Sequence, residues 1–236
     1  MKTFRSTRGP FNERPFFTLK EIEDVCLEAL TLAQLLPSEP GPVRIERFIE
    51  KKFGVTPNYE VLPEGVLGFT RFGPKGVEAV MVSKALAEDI TKTSDRRVTT
   101  TLAHEAGHGL LHSYLFVLGD QTAPLFDGEV QPDSPKIMCR QGSVLKDVGQ
   151  GAYDGRWWEY QANQAMGALL LPRALVAQCL RPILVATGSL GNPVLKTAHR
   201  AKAIQLLSES FQVNPIVARI RLDQLHPEKD ERQLTL

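Results

Sequence analysis

Residues His104-Glu105-Ala106-Gly107-His108 read HEAGH, and no other feature restricts the fold of this chain so far. Two imidazoles at i and i+4 face one point only if the segment is helical. On a helix they lie one turn apart and roughly 40° around the axis. From there both can close on a single tetrahedral zinc ion. Glu105 then sits beside the metal, where an activated water needs a base. With 5 histidines in 236 residues, chance supplies only about 0.01 HExxH matches.

The surrounding pattern supports a helix there. Ser94-Asp95 offers N-caps for a long helix through Val98, Leu102, Leu110 and Leu111. Gly107 in mid-helix costs roughly 1 kcal/mol relative to alanine, which fits either close approach by another backbone or by substrate, or simple tolerance. Upstream, Thr18-Leu19-Lys20-Glu21 has the form of a capping box and predicts a helix to about Leu36. A second helix is expected over Val43 to Phe53, stopped by Gly54. Between residues 57 and 84, short apolar runs alternate with Pro63-Glu64-Gly65 and Gly73-Pro74-Lys75-Gly76. These turn signals predict a small, mainly antiparallel three-stranded sheet.

Residues 116–156 carry Gly, Pro, Asp and Ser with no sustained period and read as a long loop within an insertion of about 113–156. Helical patterns resume at Trp157–Leu171, Ala174–Leu184 and Lys196–Ser210, with a loop at Thr187–Pro193. Asn214-Pro215 opens a last helix to Leu225. The class is α+β. The expected organisation is a basic, extended and mobile arm over 1–17, a metal-binding domain over 18–172, a helical segment over 173–225 and a tail over 226–236.

Composition narrows the partners. The net charge of +1 argues against bulk nucleic acid or an anionic membrane. Three cysteines, Cys26, Cys139 and Cys179, form no CxxC pair and suit a reducing compartment. No segment approaches 18 uninterrupted apolar residues and no signal region follows the N-terminal basic residues. A cytoplasmic protein without direct membrane or nucleic-acid contact is expected.

A third protein ligand is needed, and His112 extends the i, i+4, i+8 series. Helix geometry removes it. His104 and His112 lie about 12 Å apart along a straight axis, whereas ligand atoms around one zinc lie roughly 3.5 Å from each other. His112 is expected behind the ligands, in the cleft wall, or simply packed. Asp120, Asp127, Glu129, Asp133, Asp147 and Asp154 fall in the irregular stretch and read as solvated. Glu159 stands on a predicted helix, with Asn163 one turn on along the same face. It is the best third ligand, with Asn163 as an orienting group.

HEAGH followed by LLH, then Glu159-Tyr160-Gln161-Ala162-Asn163 and Leu169-Leu170-Leu171-Pro172, resembles the ImmA/IrrE family of zinc metallopeptidases. The resemblance extends over roughly residues 20 to 225, including FQVNPIVARIRLDQL at Phe211–Leu225. Met166 and Gly167 replace the family's usual Phe-Ala, and Leu171 its Met. The resemblance implies a zincin-like, gluzincin-type domain, and the apolar spacing of residues 201–225 suggests a C-terminal helix-turn-helix-like segment after it. It implies one Zn2+ held by His104, His108 and Glu159, with Glu105 as catalytic base. It also implies, as protein partner, a helix-turn-helix repressor cleaved to derepress transcription.

Two other readings stay open. One is a zinc-binding regulator in which residues 201–225 read DNA, although Lys202, Arg219 and Arg221 form only a modest basic set. The other is a toxin–antitoxin-associated partner that binds protein without cutting it. Tyr153, Tyr160, His112 and His199 are candidates for stabilising an oxyanion, and Cys139 for an inhibitory thiolate.

Overall fold

The computed structural model describes residues 2–5, 13–89, 91–118, 136–140, 157–187 and 192–227. At the N-terminus β1 (Lys2–Arg5) and β2 (Glu13–Phe16) pair antiparallel. The segment expected as an extended arm is therefore a ribbon, and Pro15 is buried. Helix α1 (Leu19–Leu32) opens on the expected capping box: Thr18 Oγ1 accepts from the Glu21 N–H at 3.2 Å and Glu21 Oε2 accepts from the Thr18 N–H at 2.8 Å. It stops short of Leu36 because Gln34 takes a left-handed φ of 57°. Helix α2 (Ile45–Phe53) ends at Gly54 with φ 72°, as the glycine suggested.

Three strands follow where turn signals placed them: β3 (Asn58–Glu60), β4 (Val66–Gly73) and β5 (Gly76–Ser83). The sheet gains a fourth member, β6 (Lys136–Arg140), from the segment read as loop. Its order is β3-β5-β4-β6, with β3 parallel to β5 and the other two pairings antiparallel. Five residues of β6 have no local period, and their partners on β4 lie some seventy positions upstream. Only tertiary pairing reveals them.

After short α3 (Lys84–Glu88) comes the long α4 (Lys92–Leu118). Thr91 rather than Ser94 caps it, accepting the Ser94 N–H at 3.1 Å, while the Ser94 hydroxyl donates to the Leu86 carbonyl. Helix α4 packs against β4, β5 and α5 (Trp157–Leu170). Gly107 makes the last contact tight: a Cβ there would stand 2.9 Å from Ala162 O and 3.0 Å from Ala165 Cβ. The close approach anticipated from the glycine is thus made by the backbone of α5.

Helix α6 (Arg173–Leu180) precedes an antiparallel ribbon of β7 (Val185–Thr187) and β8 (Asn192–Val194). Then come α7 (Arg200–Ser210) and α8 (Pro215–Leu225), the latter capped by Asn214 at the Ile216 N–H. One hydrophobic cluster runs from Ile22 through Phe48, Val82, Leu102 and Met166 to Leu222, so residues 173–225 share the core of the preceding segment. Arg221 fastens α8 inward. It is 1 % exposed and donates to Leu171 O at 3.1 Å and to Glu23 Oε1 at 3.0 Å. Among the described residues no helix is long and apolar enough to cross a membrane. The tail after residue 227 lies outside them.

Candidate metal centre

Helices α4 and α5 bring His104, His108 and Glu159 together so that one donor atom from each lies within 4.8 Å of the others. His108 Nε2 is 3.0 Å from His104 Nε2. Glu159 Oε2 is 3.3 Å from His104 Nε2, and Glu159 Oε1 is 3.6 Å from His108 Nε2. Three donors at about 2.1 Å from a tetrahedral ion would be separated by roughly 3.4 Å, and the three distances bracket that value.

The chemistry of these atoms fits a cation. Glu159 is 2 % exposed, and its Oε2 accepts no hydrogen bond although it lies near His104. A buried carboxylate with an unsatisfied oxygen is costly unless a positive charge faces it. Burial lowers the basicity of His104, but the neighbouring Glu159 carboxylate overrides it and leaves the imidazole raised. His108 is held well below its ordinary value, first by burial and then by the other two imidazoles. Metal ligation needs the neutral form of both rings.

The surroundings orient the donors. Asn163 Oδ1 accepts from His104 Nδ1 at 2.9 Å, so the amide predicted to orient a ligand grips His104. His112 lies behind His108, with the two Nδ1 atoms 2.9 Å apart. Its Nε2 meets Gln161 Oε1 at 3.1 Å, and the ring stacks edge-on to Trp157 with centroids 5.6 Å apart.

Glu105, next to His104 on α4, is buried and reaches the sheet. Thr70 on β4 donates its hydroxyl to Glu105 Oε2 at 2.6 Å, and Oε1 has no hydrogen-bond partner. Burial pushes the carboxyl up to about 8, with His104 and Thr70 acting in the opposite direction. Gly68 allows this fit, since a Cβ there would meet Met81 O and Thr101 Cγ2 at 2.8 Å and Glu105 Oε1 at 3.4 Å.

Of the expected oxyanion candidates, His112 has both ring nitrogens engaged, and His199 Nδ1 donates to Ile183 O at 3.1 Å. Tyr160 is 44 % exposed, and Tyr153 lies outside the described residues. The backbone of Cys139 pairs with Gly68 in the sheet, while its side chain lies outside them. Sequence reasoning missed Thr70, Gln161 and Pro15. Gln161 was quoted only as part of a motif, and a lone threonine in a strand carries no chemical signal by itself.

No family model matches the chain, and no curated protein matches it.

Proposed function

We propose that the chain is a zinc-dependent endopeptidase of the ImmA/IrrE kind, with a helix-turn-helix repressor as its substrate class. The observation that supports the zinc-enzyme reading is the convergence of His104, His108 and Glu159 with Glu105 on the same turn, while the substrate class rests on the resemblance of the motifs. Two imidazoles and one carboxylate favour zinc over calcium or magnesium, which seek oxygen-rich shells. Zinc bound there would acidify a water and polarise a substrate carbonyl.

The chain's own residues supply the rest. Glu105 accepts a proton at Oε1 as the carbonyl is attacked and returns it to the leaving amine. Thr70 holds the other carboxyl oxygen, so the free oxygen keeps one direction. Burial raises the carboxyl towards neutrality, where proton transfer in both directions is balanced. Asn163 keeps a proton on His104 Nδ1 and leaves Nε2 bare.

The test is to incubate the zinc-loaded protein with helix-turn-helix repressors and a peptide library, then find new termini by mass spectrometry. Glu105→Gln should retain metal and lose cleavage. A Glu105→Gln chain that cuts at the normal rate would remove the assignment. The burial of all four site residues favours a second reading, a metal-binding regulator that holds protein without cutting it. Repressor capture by the zinc-loaded wild type without any new termini selects that reading. DNA reading by α8 has less support, because the Arg221 guanidinium is committed to Glu23 and Leu171.

A further inference from the structure

A chain of hydrogen bonds leads away from the metal centre and ends on a group with only one hydrogen-bonding role. Gln161 Nε2 donates to the Pro15 carbonyl at 2.9 Å. A carbonyl can only accept, so the amide nitrogen faces Pro15 and the amide oxygen faces His112. Gln161 Oε1 then requires a proton on His112 Nε2, 3.1 Å away. Only one of the two facing Nδ1 atoms can carry the shared proton, and a His112 ring whose proton sits on Nε2 is bare at Nδ1. That atom accepts from His108 Nδ1–H at 2.9 Å, which leaves His108 Nε2 bare and facing Glu159.

We propose that His112 and Gln161 are positioning residues of the metal centre, which fix the metal-competent tautomer of His108 from an anchor on the Pro15 carbonyl of the N-terminal ribbon. His104 needs only Asn163 for the same purpose. His108 depends on three links spanning β2, α5 and α4, every member of which is buried. A flip at any link propagates. If Gln161 releases His112, a proton can move to His112 Nδ1; His108 Nδ1 must then accept, and its proton goes to Nε2, where it blocks the metal. Outer partners of ligating histidines typically contribute 10- to 100-fold in metal affinity.

The inference rests on the metal-binding part of the proposed function, not on hydrolysis. Full-length protein is stripped with chelator, and the His108 tautomer is read from long-range 1H–15N spectra before and after zinc is added. Zinc affinity is measured by chelator competition for wild type, His112→Phe, His112→Asn and Gln161→Leu. The expected results are a proton on His108 Nδ1 in metal-free wild type and about a 10- to 100-fold loss of affinity in His112→Phe. His112→Asn should recover most of that loss, because its Oδ1 can take the place of Nδ1 as acceptor. Gln161→Leu should lower affinity and put a proton on His108 Nε2, although the Gln161 hydrogen bonds go to His112 and Pro15.

Wild type that takes up no zinc overturns the metal reading and the relay with it. Wild type that binds zinc, with unchanged affinity and His108 tautomer in His112→Phe and Gln161→Leu, overturns the relay alone. Should His112→Phe fail to fold, the wild-type spectrum still decides, since a metal-free His108 protonated at Nε2 overturns the relay.

Discussion

Gly107→Ala separates helix stability from metal-site geometry. Alanine is favoured over glycine inside a helix by about 1 kcal/mol, so α4 alone would gain from the substitution. The neighbouring helix opposes it. The new Cβ would stand 2.9 Å from Ala162 O and 3.0 Å from Ala165 Cβ, against ordinary contact beginning at 3.4 Å. Both obstacles belong to α5 rather than to the end of a flexible side chain, so the helices must separate by about 0.4–0.5 Å. Overpacking of this sort costs about 1–3 kcal/mol, and the net effect is a destabilisation of about 0–2 kcal/mol. Metal affinity should suffer more. Ala162 is three residues from Glu159, and metal–ligand distances tolerate only about 0.2 Å of error. The variant should melt near the wild type yet bind zinc at least about tenfold more weakly, measured by calorimetry and chelator competition. Wild-type affinity in Gly107→Ala, or stabilisation by the full helix-propensity gain, would refute the idea that this glycine sets the distance between the ligand-bearing helices.

Other consequences follow from the same contacts. Glu159→Ala removes the only carboxylate of the donor set and should weaken zinc binding by more than about 100-fold, read by chelator competition, with the helical circular dichroism retained. Zinc at 1,000 times its dissociation constant should raise the unfolding free energy by about 4 kcal/mol, and a chelator should reverse the shift in melting temperature. Glu23→Ala strands the buried Arg221 guanidinium and should cost about 3–5 kcal/mol, whereas Arg221→Met, which removes the buried charge itself, should cost less; denaturant titration compares them. Burial opposes ionisation of Glu23, but Arg173 and Arg221 hold its carboxyl below the ordinary range. Its stabilising contribution is therefore complete above the unfolded value of about 4.3 and fades as pH falls through the lower folded value. Arg221→Met should flatten that acid limb in pH-dependent unfolding.

Local signals in the sequence were accurate at several element ends, although the cap of α4 falls on Thr91 rather than on Ser94. The capping box at Thr18 and Glu21, the αL stop at Gly54 and the Asn214-Pro215 start each depend on a few adjacent residues, and each is found in the structure. The i, i+4 argument brought His104 and His108 together and set His112 apart, because helix geometry alone decides it. What was not legible depends on distant pairing. The parallel addition of β3, the capture of β6 by β4 and the Thr70–Glu105 bond all join segments that do not follow each other in the chain. The Gln161–Pro15 bond spans 146 positions. A proline in a basic arm reads as an extended, mobile element, yet its carbonyl accepts the buried Gln161 amide.

The enclosure of the metal centre also has a kinetic meaning. With His104, His108 and Glu159 each at most 2 % exposed, the donor atoms are shielded from solvent, and local opening of the protein would ease the entry and exit of an ion. The rate of metal exchange would then follow the frequency of local opening around the site as well as the strength of the coordinate bonds. Raising the chelator concentration would speed removal only up to that opening frequency. A chain folded without metal would fill slowly, and one that acquires its ion while folding would hold it far longer than the affinity alone suggests.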